Sequence, residues 1–197
     1  EGPQSAIPLV ALQYHAVELR IYWGPDAGNY NVEAYTNYYY LDNEERGIMT
    51  SRTHDILITQ VQKSIPSSEK VQELTFNHPI KYIACSNTNS ESTLTAIDNK
   101  IKLSINGTDI NSYKWAKPHF VDITSYYHTN FVTSPDFFLH CFCLNTSSLQ
   151  PTGSLNFSRL DSVKIHSQNK DIIDSIYGVN YNILRVNNGM AGLMYAN

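Results

Sequence analysis

Apolar and polar side chains alternate through the first stretch of this chain. Within Val10–Trp23, Val17, Leu19, Ile21 and Trp23 fall on one side, with Glu18, Arg20 and Tyr22 opposite. Successive side chains of a strand point to opposite faces, so this period of two predicts a half-buried β-strand. Gly24-Pro25-Asp26-Ala27-Gly28 breaks it. Val32–Leu41, heavy in Tyr35, Tyr38, Tyr39 and Tyr40, predicts a second strand. The charged run Asp42-Asn43-Glu44-Glu45-Arg46 follows. Asp42 or Asn43 suits the N-cap of a short helix, and the acids suit its positive end. Residues 42–53 are therefore the expected linker between two domains.

Strand-like runs then recur at Asp55–Gln62, Lys70–Phe76, Ile80–Cys85, Lys100–Ile105, Phe137–Leu144, Ser154–His166, Ser175–Asn187 and Gly189–Tyr195. Pro66-Ser67-Ser68, Asn106-Gly107, Pro151-Thr152-Gly153 and Asn187-Asn188-Gly189 supply turn chemistry at the joints. No helical period extends beyond about three turns. Eight strands after the linker predict an all-β fold, an antiparallel sandwich such as an eight-stranded jelly roll. The strand count alone also suits an immunoglobulin-like sandwich.

Composition narrows the picture. A chain of 197 residues holds one full domain, or one domain and part of another. Hydrophobic residues at 42% against 16% charged make it globular, and 14 Tyr with 7 Phe favour β structure. A net charge of −4 with no Lys/Arg cluster argues against direct contact with nucleic acid. No apolar run approaches the roughly 20 residues of a membrane span. The chain opens on Glu1 rather than Met, and Ile7–Leu12 lacks the length and basic flank of a signal peptide. A piece of a longer polypeptide is expected. Cys85, Cys141 and Cys143 are an odd number, and neighbours two apart on one strand face do not easily meet disulfide geometry. Free, buried thiols in a reducing compartment are expected.

The candidate chemistry is thin. His140-Cys141-x-Cys143 comes nearest to a metal-binding spacing, but on a strand His140 points away from both cysteines, so core packing is expected and no metal. Ser51, His54 and Asp55 are the residue types of a hydrolase triad without a nucleophile elbow. His78 reads as a turn residue held extended by Pro79. Tyr35, Tyr38, Tyr39 and Tyr40 suit either a sugar-stacking platform or, as expected here, two core positions and two at a junction or interface. Asn106, Asn145 and Asn156 open N-x-S/T triplets. Asn106 and Asn145, in turns, are weak glycosylation candidates, and Asn156 falls inside a strand. No catalytic residue, cofactor or enzymatic activity is expected.

One stretch carries more information than these. Gln150-Pro151-Thr152-Gly153-Ser154-Leu155-Asn156-Phe157-Ser158-Arg159-Leu160-Asp161 is followed about twenty residues later by Tyr181-Asn182-Ile183-Leu184-Arg185 and Gly189-Met190-Ala191-Gly192-Leu193. Together they resemble the C-terminal end of the major capsid proteins of large nucleocytoplasmic DNA viruses. Ala6–His15 is similar to that family's "LPLIALQYHEV" strand, and Tyr38-Tyr39-Tyr40-Leu41-Asp42-Asn43-Glu44-Glu45-Arg46 to its "YLDxxER" junction between two jelly rolls. Phe76–Lys81 resembles its "NHPxK" turn, and His128-Thr129-Asn130 another recurring segment. The family's "MSGMGGL" departs here to the more polar Val186–Leu193, with the turn glycine kept.

The resemblance implies two jelly rolls in the complete protein. Residues 1–41 would be closing strands of the first, 42–53 the linker and 54–197 the whole second one. It implies a structural protein that forms trimeric, pseudo-hexagonal capsomers of an icosahedral shell. Its partners would be its own copies as a homotrimer, neighbouring capsomers and minor capsid proteins. It would reside in the virion and assemble in the host cytoplasm. The alternative is a carbohydrate-binding jelly roll, either a lectin or a spike domain.

Overall fold

Asp42 begins the first regular element by accepting a hydrogen bond from the Glu45 N–H, while the Glu45 carboxylate accepts one from the Asp42 N–H. This reciprocal cap satisfies two donors that the first helical turn leaves free. The computed structural model describes residues 6–25, 27–29, 31–86, 92–130, 134–148 and 150–196. The capped helix is α1 (Asn43–Ser51). After it come β1 (His54–Ser64), β2 (Val71–Glu73), β3 (Pro79–Ser86), β4 (Lys100–Ile105), β5 (Thr108–Asp109) and β6 (Lys114–Trp115). A π-helical stretch, Ala116–Ile123, runs into α2 (Thr124–His128). The chain closes with β7 (Phe137–Cys141), β8 (Leu155–Asn156), β9 (Val163–Ser167), β10 (Ile176–Asn187) and β11 (Met190–Leu193). Two compact units result, one of Glu1–Leu57 with Ile183–Ala196 and one of Ile58–Asn182.

The larger unit is a sandwich. One sheet takes the order β1–β10–β3–β7, with β8 also on β3, and the other the order β2–β9–β4–β5, with β6 also on β4. The pairs β3–β10, β3–β7, β4–β9 and β2–β9 are antiparallel. Ile80, Ile83 and Phe138 of the first sheet and Ile101, Leu103 and Ile165 of the second are fully buried in one shared core. Burying each such side chain contributes about 1.5–3 kcal/mol, so this double row is the main source of stability. In the smaller unit the second half of β10 pairs antiparallel with β11, Leu184 opposite Leu193 through Asn187 opposite Met190.

The turn residues do what their chemistry predicts. Asn106 (φ 49°) and Gly107 (φ 79°) join β4 to β5, and Asn188 (φ 50°) and Gly189 (φ 79°) join β10 to β11. Two successive positive φ values match the right-handed twist of a hairpin. A Cβ at Gly189 would also lie 2.8 Å from the Tyr14 ring.

Four expectations fail, each for a physical reason. Val10–Trp23 and Val32–Leu41 form no strands; only Leu9–Ala11 has regular structure there, as a short 3-10 turn. Alternation supplies a face, but a strand also needs a ladder of hydrogen bonds, and among the described residues the Tyr14 N–H to Gly189 carbonyl bond is not continued into one. Ser154–His166 is not one strand but β8, a 3-10 turn at Phe157–Arg159, and β9 in the other sheet. The break is set by side chains: Asn156 Oδ1 accepts from the Ser158 N–H, and Asn106 Oδ1 from the N–H groups of Asp161 and Ser162. His78 is not extended but at φ 69°, where its N–H donates to Ser158 Oγ and its carbonyl accepts from the Phe157 N–H. Cys143 lies beyond the end of β7, where residues 142–144 bend, so it does not share a strand face with Cys141.

The π-helical stretch was missed because the buried positions of this segment, Ala116, Phe120, Val121, Thr124 and Ser125, keep a helical spacing but include polar Thr124 and Ser125 and span little more than three turns. His119 carbonyl accepts from both the N–H and the hydroxyl of Thr124, five residues on, which widens the turn.

A buried polar hub ties loops together inside the larger unit. Asn99, 0% exposed, donates to the Thr93 carbonyl and to Ser167 Oγ, both at 2.9 Å, and accepts from the N–H groups of Lys100 and Asn169. Asp174 accepts from the N–H groups of Thr93 and Leu94 at 2.9 and 3.0 Å. Replacing Asn99 by Ala strands several buried groups and should destabilise the fold by about 2–4 kcal/mol. Thermal unfolding checks this: a fall in Tm of roughly 8 °C is expected. An unchanged midpoint would show that the loops hold without the hub.

His140 on β7 packs its ring 5.8 Å from Phe120 and 5.1 Å from Phe142. Burial, helped by His119 and His128, holds its pKa down to about 4. The unfolded imidazole takes a proton near pH 6.5 while the folded one stays neutral. Stability should therefore fall as pH drops from about 6.5 to 4, by on the order of 2 kcal/mol, and level off below. His119 and His166, also lowered chiefly by burial, act in the same direction. Urea unfolding across that window should show a smaller loss for His140→Phe, and an identical loss would contradict the assignment.

Candidate functional site

The triad types do not assemble. Ser51 Oγ donates to the Ile48 carbonyl at 3.0 Å, and His54 Nε2 contacts the Met49 carbonyl at 2.8 Å. Both Asp55 oxygens instead accept from Arg185, at 2.7 Å each, and the guanidinium holds that carboxyl below its ordinary range. This fork joins β1 to β10 within the smaller unit. The described residues contain no group of three or more metal-ligating side chains. Among them there is also no helix long and apolar enough to cross a membrane.

The turn asparagines are placed unequally. Asn106 is exposed at a hairpin tip, though its side-chain oxygen is engaged by the 161–162 backbone. Asn145 is half-buried, with its oxygen accepting from the Ser147 N–H and its amide donating to Asn130 Oδ1. Asn156 stands at the end of β8, capping a turn.

The largest unusual surface lies in residues 14–40. Leu19 is 75% exposed, Tyr22 90%, Tyr35 85% and Tyr40 94%, and Val17, Ile21, Trp23, Tyr38 and Tyr39 are exposed as well. No tyrosine of the quartet reaches a core, contrary to expectation: Tyr35, Tyr38, Tyr39 and Tyr40 are all exposed, on a segment that forms no strand among the described residues. Polar contacts stay local: Arg20 pairs with Glu18, and the Tyr35 hydroxyl donates to Glu33, which raises its pKa. The segment is anchored at its start, where the Tyr14 N–H donates to the Gly189 carbonyl and His15 Nδ1 accepts from the Ala191 N–H, both at about 3 Å. A long apolar segment with an unpaired backbone is an interaction surface by its physics.

A second cluster escaped the sequence reading. Cys143 is buried and Cys141 half-buried, all three cysteines being free thiols. Val179 lies opposite Tyr82 and Asn180 opposite Ile80, which leaves Lys81 as the extra residue of a β-bulge. Lys81 is 5% exposed; its ammonium lies 5.5 Å from the centre of the Tyr181 ring, and its carbonyl accepts from the Phe142 N–H at 3.0 Å. The Tyr181 hydroxyl is buried without a hydrogen-bond partner. Cys141's hydrogen bond, then the nearby Lys81 charge, lower the pKa of Cys143, while the same bond and burial raise that of Cys141. Buried Cys85 is likewise raised, by desolvation. The sequence holds a lone cation in the apolar run Ile80–Cys85, but nothing local that brings Lys81 towards residues 141–143.

Comparison with known proteins gives these surfaces a context. Residues 45–192 match the family model described as "Large eukaryotic DNA virus major capsid protein". The chain is 28% identical over its full length to the major capsid protein of Pyramimonas orientalis virus, covering 59% of that protein. It is 27% identical over its full length to that of Paramecium bursaria Chlorella virus 1, covering 64%. It thus spans roughly three fifths of the curated relatives it matches. Among solved structures, the quasi-atomic PBCV-1 virus capsid aligns with 80% of this chain and 55% of that one, with a TM-score of 0.63 and 23% identity. That likeness fixes the fold as the jelly-roll sandwich anticipated from the strands. Because the family model covers most of the sandwich, from the α1 cap to the β11 strand, this chain belongs to the large eukaryotic DNA virus major capsid protein family.

Proposed function

We propose that this chain is the C-terminal part of a shell-forming capsid protein with two jelly rolls, and that its work is mechanical. The match over residues 45–192 carries the reading. Residues 54–197 would be the second jelly roll, 42–53 the linker, and 1–41 strands that complete the first. The exposed, unpaired segment supports this division, because an apolar face of that length needs a neighbouring sheet. Three copies of such a protein would present six sandwiches in a near-hexagonal outline, which tiles a flat facet with neighbouring capsomers and minor capsid proteins. The finished shell would be part of the virion, built in the host cytoplasm. Asn106, exposed at a hairpin tip, is the better placed of the two glycan candidates, and Asn145 the poorer. The comparisons give no support to a carbohydrate-binding role.

Backbone hydrogen exchange tests the division. In the isolated 197-residue chain, amides of residues 16–23 and 32–41 should exchange at nearly unprotected rates. In particles of the complete protein they should be slowed by at least about 100-fold, as ladder amides are. Light scattering should show the 197-residue chain associating at micromolar concentration, and a chain starting near residue 50 remaining monodisperse. Rapid exchange of both segments within intact particles would refute the division.

A further inference from the structure

We propose that Asn188 is a deamidation site, and that its conversion to isoaspartate releases the anchor holding Tyr14 against the β10–β11 turn. The proposal concerns the smaller unit alone and does not depend on the shell reading. The chain contains two Asn-Gly pairs, Asn106-Gly107 and Asn188-Gly189. Glycine has no side chain to shield its nitrogen, so in each pair that nitrogen can reach the asparagine side chain. The two backbones match in φ, at 49° and 79° in the first pair and 50° and 79° in the second. What separates the pairs is how their side chains are engaged. Asn106 Oδ1 accepts from the N–H groups of Asp161 and Ser162 at 3.0 and 3.1 Å, which holds its amide towards that backbone. Asn188 is exposed, and its side chain makes no hydrogen bond among the described residues. The turn pairs Asn187 with Met190 and leaves the Gly189 N–H outside the ladder.

The Gly189 nitrogen attacks Cγ of Asn188. A C–N bond forms, the bond from Cγ to the side-chain nitrogen breaks, and that nitrogen leaves as ammonia, taking up the Gly189 amide proton. The product is a cyclic imide. Water then opens the ring at either of its carbonyl carbons. Opening at Cγ gives aspartate; opening at the main-chain carbonyl gives isoaspartate, whose backbone runs through Cβ and Cγ. In sum, a side-chain amide and a water give a carboxylic acid and ammonia. Isoaspartate thus adds a carbon to the main chain just ahead of Gly189. That residue is where the smaller unit holds its exposed segment. The Gly189 carbonyl accepts from the Tyr14 N–H at 2.9 Å, and a Cβ at Gly189 would lie 2.8 Å from the Tyr14 ring. Two residues on, the Ala191 N–H donates to His15 Nδ1 at 3.0 Å. A lengthened turn displaces the Gly189 carbonyl and frees the segment that begins at Tyr14.

The test ages the folded 197-residue chain in mildly alkaline buffer and maps its peptides by mass spectrometry, with fragmentation that separates aspartate from isoaspartate. Asn188 should convert at least about tenfold faster than Asn106, which must first give up two hydrogen bonds. In denaturant the two pairs should convert at similar rates. Hydrogen exchange on the aged chain should show the Tyr14 amide exchanging at least about tenfold faster in the isoaspartate fraction than in fresh protein. Asn188→Gly accepts the positive φ and cannot deamidate, so it should keep the Tyr14 amide protected through the same ageing. The comparison of Asn188 with Asn106 lies within one molecule and needs no variant to fold. Equal or faster conversion of Asn106 in the folded chain, a rate difference that persists in denaturant, or an isoaspartate fraction with Tyr14 still protected would each overturn the proposal.

Discussion

Every backbone N–H and C=O that leaves water must find a partner, and that requirement organises this molecule more than any single side chain does. It lets β3 sit at the centre of one sheet, between β10 and β7, and β9 and β4 side by side in the other. It also explains why the best-patterned segment of the sequence is the least structured. Residues 16–23 alternate as regularly as any strand in the sandwich, yet remain exposed without a ladder. Pattern proposes a face; pairing makes the strand.

Within the sandwich, the apolar core supplies most of the free energy, while polar groups decide the path. Asn99, Asn106 and Asn156 each use one amide to fix a loop that the strands alone leave undetermined. Such groups add little net stability when satisfied, but stranding them is expensive, so they select one arrangement over its neighbours. The jelly-roll sheets meet across hydrophobic side chains, and the loops between them are spelled out in hydrogen bonds.

This division of labour also marks what the sequence disclosed. Strand existence was legible from alternation, with Lys100–Ile105 found at its true limits, and the hairpins from Asn-Gly pairs. The cap at Asp42 was legible because its residues are local. Phe157–Arg159 was not, because besides the local Asn156 the contacts that break the strand come from His78 and Asn106, distant in the chain. The Cys141–Lys81 neighbourhood was invisible for the same reason: it depends on a bulge that appears only once β3 and β10 are in register. Family resemblance, carried by short local motifs, survived where three-dimensional contacts could not be read.

Helix α1 has a mechanical meaning. It buries no residue, spans nine positions and opens on a reciprocal cap. A helix this short has little stability of its own. If load is drawn along the chain, α1 is the element that gives before any strand ladder is sheared. Unwinding it from about 1.5 to about 3.4 Å per residue lengthens the path by roughly 17 Å. Stretched in this way, α1 would serve as a short extensible strap ahead of β1, while the paired strands keep their length.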